Sequence, residues 1–261
     1  MLRAWLAGLL LVGCAGCTTT QSPSLGTLRS PSVPPQLIHR EVQTIVIDAG
    51  HGGRDPGTSH HGLQEKHLNL DIVRRLRAAL EARGLRVVLT RDRDQFIPLS
   101  KRPALANRLN ADLFVSVHIN ANRNAGVSGV EVYYPRVSVV SPAASWPPEV
   151  HPSEIALPSV TVKQVLWDLV LRRTRVESRK LASSICRSMR DGLQASCRAT
   201  RPARFVVLRE AWMPSVLVEV GYVSNPAEAQ RLGTAAYRQA AAESIAQGIV
   251  TYIRALGTQH I

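Results

Sequence analysis

The chain has 261 residues, enough for one large domain or two small ones and for a substantial core without covalent staples. Its 32 Lys and Arg outnumber 19 Asp and Glu, a formal net charge of +13, and only four of the basic residues are Lys. The arginines are scattered, and no aromatic-interleaved basic patch or nucleic-acid motif accompanies them, so the composition describes a solvated Arg-rich surface and excludes a nucleic-acid binder.

In chain order, Arg3 precedes an apolar run from Ala4 to Val12. The run is too short to span a bilayer and reads as the apolar part of an export signal. It ends in Leu11-Val12-Gly13-Cys14, which resembles a bacterial lipobox, so residues 1–17 are expected to form a signal and lipidation region with the lipid on Cys14, the alternative being ordinary signal cleavage at the small residues near Ala15 and Gly16. Such an anchor makes a membrane a partner. The expected location is exported and periplasmic, with the outer membrane as the expected anchor. Residues 18–42 are rich in Ser, Thr and Pro without periodicity and read as a tether. The remainder, 43–257, reads as one globular domain, with no later segment long and apolar enough to cross a membrane.

Within that domain, strand-length apolar runs alternate with amphipathic stretches. Strands are predicted at 43–48, 85–90, 112–118, 129–134, 204–208 and 215–221, several continuous in Val, Ile and Leu as fits strands covered on both faces. Leu68, Ile72, Val73, Leu76 and Leu80 recur at helical spacing, and Gly84 supplies a stop. Further helices are predicted at 98–111, in at least the second half of 164–193, and at 235–256. Alternation in this order predicts an α/β domain with a largely parallel sheet. Prolines at 135, 142, 147, 148, 152 and 158 mark a surface insertion near 135–162. Cys186 and Cys197 leave two options open, a bridge or two buried thiols.

Four polar residues stand out against this frame. His51 lies between glycines just after the first strand, and His118 ends the third, in "LFVSVHINAN". Glu219 lies near the end of the last strand, in "SVLVEVGYVSN", and Glu65 opens the first helix. Sites in open α/β sheets form beyond the carboxyl ends of the strands, which gathers these residues at one rim. Two imidazoles and a carboxylate suit catalytic Zn²⁺, and a second carboxylate suits a general base for its water. Taken singly, His118 is also a candidate core histidine, Glu65 a helix N-terminal acid and His51 a turn residue. Glu219 among valines and leucine is harder to explain as structural, because a buried unpaired carboxylate is costly. Neither G-x-G-x-x-G nor G-x-x-x-x-G-K-[ST] occurs in "GHGGRDPG", which argues against a phosphate loop.

The succession "IDAGHGGRDPG", "EKHLNL", "VVLTRDRDQFIPLSKRPALAN", "ADLFVSVHINAN", "GVEVYY", "FVVLREAWMPSVLVEVGYVSN" and "IAQGIVTYI" resembles the zinc-dependent N-acetylmuramoyl-L-alanine amidases of the amidase 3 family. That group is similar to the bacterial cell-division amidases. The resemblance spans about residues 44–253 and implies a six-stranded mixed, mostly parallel sheet with helices on both faces. It implies peptidoglycan as substrate, cleaved between the lactyl group of N-acetylmuramic acid and L-alanine of the stem peptide. It also implies one Zn²⁺ held by His51, Glu65 and His118, with Glu219 as the catalytic glutamate. Asn120 is a candidate for positioning substrate or for a turn, and Asp48 for orienting a ligand histidine. Some members carry a helix that blocks the zinc until an activator protein binds. At that position this chain has the Pro-rich Val137–Val162, with Glu149, His151 and Glu154, and the prolines argue against a long blocking helix.

Overall fold

The computed structural model describes residues 42–136 and 160–257. The export signal with Cys14, the tether as far as residue 41, and 137–159 of the Pro-rich insertion, including Glu149, His151 and Glu154, lie outside the described residues. Among those described, no helix is long and apolar enough to cross a membrane.

The run TIVIDA becomes β1 (Thr44–Ala49), buried at every position. Two short strands, β2 (Ser59–His60) and β3 (Leu63–Gln64), form a hairpin and lead into α1 (Glu65–Glu81). The periodic residues Leu68, Ile72, Val73, Leu76 and Leu80 are the buried stripe of α1, as their spacing requires. Then follow β4 (Arg86–Leu89), α2 (Lys101–Arg108), β5 (Leu113–Asn120) and β6 (Val130–Pro135). The second half comprises α3 (Val160–Leu193), β7 (Cys197–Ala203), α4 (Val206–Arg209), β8 (Ser215–Tyr222), α5 (Pro226–Leu232) and α6 (Ala235–Gly257).

Six strands form one sheet in the order β4-β1-β5-β8-β6-β7. The pairings β1–β4, β1–β5, β5–β8 and β6–β7 are parallel, and β6–β8 is antiparallel. Successive strand residues face opposite sides, which separates two cores. Ile45 and Ile47 of β1 join a large cluster with Leu76 of α1, Ile185 of α3 and Ile249 of α6. Val46 turns the other way to Phe114, Ala106 of α2, and Val207 and Leu208 of α4. With helices on both faces, the strands read as continuous apolar runs. The described residues cluster as one compact unit.

One predicted element is wrong. The stretch 204–208 was expected to be a strand, but from Val206 onward it is the single-turn helix α4, whose Val207 and Leu208 fill the smaller core. The sixth strand is β7 instead, an edge strand with mostly exposed side chains and hence no apolar signature. Cys186 of α3 and Cys197 of β7 form a disulfide with Cα atoms 5.8 Å apart, which decides between the two cysteine options.

Candidate active site

The site lies at the carboxyl-end side of β1, β5 and β8. His51 follows β1 with φ of 62°, a left-handed conformation that costs a non-glycine residue about 1 kcal/mol. The chain then doubles back: Gly52 N–H donates to the Asp55 carbonyl at 2.9 Å, and Asp55 N–H to that of Gly52 at 3.2 Å. This turn brings the Asp55 carboxylate to His51 Nδ1 at 2.8 Å. The second Asp55 oxygen accepts from Gly57 N–H at 3.1 Å. With Nδ1 engaged, His51 Nε2 points to Glu65 Oε1 at 3.2 Å.

Glu65, the first residue of α1, is 4% exposed. Its Oε1 meets His118 Nδ1 at 3.0 Å and accepts from Ile119 N–H at 3.0 Å. Oε2 accepts from Thr58 N–H at 2.9 Å. Burial alone would raise the Glu65 pKa, but hydrogen bonds and charge from His118 and His51 hold it well below the ordinary carboxylate range. Burial likewise opposes charge on His51, and Glu65 and Asp55 together outweigh it and raise the imidazole above 6.5. Both ring nitrogens of His51 thus face carboxylate oxygens, an arrangement that suits a cation at the Nε2 side.

His118 lies in β5, with its ring edge-on to that of His51 at 5.1 Å between centroids. A β-carbon on Gly50 would lie 2.3 Å from His118 Cε1, so only glycine admits the imidazole there. Gly57, at φ of 65°, is constrained in the same way, because a β-carbon would come within 2.5 Å of Glu65 Oε2. The glycines around His51 therefore make room for its two partners rather than cradling an anion. Among the described residues, His51, Glu65 and His118 bring ligand atoms within 4.8 Å of one another. Two nitrogens and a carboxylate oxygen, with one imidazole oriented from behind by Asp55, form a donor set that fits catalytic Zn²⁺.

Glu219 is the register partner of His118 on the adjacent strand β8. Its Oε2 is enclosed and has no hydrogen-bond partner. Burial, followed by the charges of Glu65 and Glu131, pushes its pKa well above 4.5. On the far side of Glu219, Glu131 of β6 is its register partner and is itself buried. Glu131 accepts from Tyr133 Oη at 2.6 Å and from Asn120 Nδ2 at 3.4 Å.

Asn120 is therefore at the site edge, with its amide turned to Glu131 and its Oδ1 accepting from Ala121 N–H at 2.8 Å. Asp48 does not meet an imidazole; its carboxylate binds Thr90 Oγ1 at 2.6 Å, Ser116 Oγ at 2.7 Å and Arg102 Nη1 at 2.9 Å. Arg102 in turn donates to the carbonyls of Ala49 at 2.7 Å and His51 at 3.0 Å. Asp48 thus acts on the backbone that carries His51, while Asp55 orients the ring. Asp55 and Glu131 were not singled out in the sequence. Glu131, an acid between valines in "GVEVYY", carries the same signal that marked Glu219.

The profile of the N-acetylmuramoyl-L-alanine amidase family matches residues 45–251. The chain is 36% identical to the N-acetylmuramoyl-L-alanine amidase AmiA of Escherichia coli, over 97% of this chain and 90% of that one. It is 38% identical to AmiC of Neisseria meningitidis, over 80% of this chain and 52% of that one. Among solved structures, the amidase AmiC2 of Nostoc punctiforme superposes with a TM-score of 0.64 at 34% identity, covering 81% of this chain and 97% of that one. The CwlD amidase of Clostridioides difficile, solved in complex with the GerS lipoprotein, gives 0.65 at 26% identity, covering 82% and 99%. With the motifs, the sheet and the profile in agreement, the chain belongs to the N-acetylmuramoyl-L-alanine amidase family.

Proposed function

We propose that this chain is a zinc-dependent peptidoglycan hydrolase that cleaves the amide between the lactyl group of N-acetylmuramic acid and L-alanine of the stem peptide. The observation that carries the proposal is the His51, Glu65 and His118 donor set beside the enclosed, unpartnered Oε2 of Glu219. His51, Glu65 and His118 would hold one Zn²⁺. When bound, the ion supplies Lewis acidity, lowering the pKa of a water and polarising the scissile carbonyl.

The chain's own residues do the rest. Asp55 and Glu65 fix the His51 ring from its two sides, so the imidazole is oriented before substrate arrives. Glu219, whose surroundings favour taking up a proton, accepts one from the attacking water. It then delivers that proton to the nitrogen of L-alanine, and the second proton of the water follows, so that water and amide become a lactyl carboxylate and an ammonium group. The net reaction leaves Glu219 as it began.

The lipobox supports a lipid anchor on Cys14, and the mass of the mature protein purified from membranes tests it. The complex of CwlD with the GerS lipoprotein supports a partner protein for this chain, in the role of an activator. Digestion of purified sacculi with and without chelator tests the activity. Free lactyl ends and L-alanine-headed peptides, lost with chelator and restored by Zn²⁺, are the expected products. Release of acetate would indicate a deacetylase, and cleavage between amino acids a peptidase. Binding without any product would indicate a wall-binding lipoprotein.

A further inference from the structure

The row of residues that starts at His118 and Glu219 continues to the sheet edge. Directly opposed residues on adjacent strands project from one face, so Glu131 shares the face of Glu219. Tyr133, two residues on, shares it too, and pairs with Arg201 of β7. Arg201 Nη2 donates to Glu131 Oε1 at 2.9 Å.

Arg198 reaches the same carboxylate by a different device. The ladder steps from Val130↔Cys197 to Glu131↔Ala199, which makes Arg198 the extra residue of a β-bulge. Bulges at sheet edges re-aim a side chain, and this one leaves Arg198 Nε 3.8 Å from Glu131 Oε1.

The charges do not balance. Glu131 is 3% exposed at its side chain, whereas Arg198 and Arg201 are 43% and 56% exposed. One carboxylate, already accepting from Tyr133 and Asn120, faces two guanidiniums with five N–H donors each. A surplus positive charge and several unused donors therefore face outward. The guanidinium of Arg201 is steadied from the side, with its Cζ 5.8 Å from the Tyr133 ring centroid. Tyr133 in turn packs edge-on against Phe205 at 5.2 Å. A fixed guanidinium with open donors is suited to a carboxylate.

We propose that Arg201, with Arg198 beside it, binds a carboxylate of the stem peptide during cleavage. The proposal rests on the amidase reading of the site. The sugar side contributes no carboxylate, because its lactyl carboxyl is the acyl part of the scissile amide, so the ligand lies on the leaving peptide. Two strand spacings separate β7 from β8, about 10 Å. An extended peptide covers about 3.4 Å per residue, which assigns the carboxylate to the second or third residue from the scissile bond.

The test uses the zinc-loaded protein and muramoyl tripeptides carrying free carboxylates on the second and third residues, or a carboxamide at one of them. Amidation at one position is expected to raise KM for the wild type about tenfold, the size of a charge-assisted hydrogen bond, with kcat within about twofold. Arg201→Ala should show the same loss on the fully free substrate and no further loss on that amidated one, and Arg201→Lys should recover part of the affinity. An equal loss on both substrates in Arg201→Ala would assign Arg201 to supporting Glu131 alone and overturn the proposal. Indifference of the wild type to amidation at both positions would also overturn it, and that arm needs no variant to fold. Failure of the amidase reading looks different: no L-alanine-headed peptide would be released from any of these substrates.

Discussion

Asp55→Ala isolates the contribution of ring orientation to the metal site. The substitution removes the 2.8 Å contact to His51 Nδ1 and the 3.1 Å bond from Gly57 N–H, while His51, Glu65 and His118 all remain. Partners that orient a metal-ligating histidine contribute about 10- to 100-fold in metal affinity, or about 1.4 to 2.7 kcal/mol. The Asp55 side chain is 41% exposed, so water competes for the imidazole N–H and the expected loss lies near the tenfold end. Asp55→Asn keeps an acceptor without the charge and should fall between the two. Zinc affinity measured by competition with a chromophoric chelator reads the effect directly, and thermal unfolding of the metal-free proteins controls for a general loss of structure. Wild-type zinc affinity in Asp55→Ala would refute the claim that Asp55 orients the ligand.

Four further outcomes are expected. Glu219→Gln should retain zinc and lose at least about a hundredfold in turnover, whereas His118→Ala should lose the metal; full activity in Glu219→Gln would sink the mechanism. Asp48→Ala leaves Arg102, 2% exposed, without its carboxylate and should lower unfolding free energy in urea by about 3–5 kcal/mol. An unchanged midpoint there would show that the ion pair is dispensable. Cys186→Ser opens a bridge between residues 11 apart and should cost about 3 kcal/mol; a melting temperature of the wild type indifferent to reductant would contradict this. Asp71 joins α1 to α6 through Arg75 and Arg238; burial would raise its pKa, but the two guanidiniums hold it below 3.8. The wild type should therefore exceed Asp71→Asn in stability above pH 3.8, by under about 1 kcal/mol, with the advantage fading as pH falls through the lowered pKa. A gap that widened in acid would reverse the sign.

The large strands and helices were legible because burial on two faces writes continuous apolar runs, and burial on one face of a helix writes a 3.6-residue period. The edge strand β7 has neither signature, and the apolar Phe-Val-Val-Leu beside it drew the strand assignment to what is a helical turn. The four main site residues were legible for different reasons. Only Glu219 stood out by its own surroundings, a carboxylate among Val and Leu with no cheap structural explanation. His51, Glu65 and His118 were legible through their convergence on one rim of the sheet. Asp55 escaped because its approach to His51 depends on a left-handed backbone at 51 and a back-folding turn, geometry that no periodicity encodes. The role of Asp48 was displaced for a similar reason, since proximity in sequence to His51 did not reveal that Arg102 lies between them.

The contact between His118 and Glu65 spans 53 positions of the chain and, with His51, draws together segments from separate strands and a helix. An ion held there would be a cross-link made only by the native state. By mass action such a ligand stabilises folding by about 4.1 kcal/mol when it exceeds its dissociation constant a thousandfold. The melting temperature of this protein should then rise with zinc concentration and fall with chelator, so that metal supply would govern not only how fast the enzyme works but how long it survives.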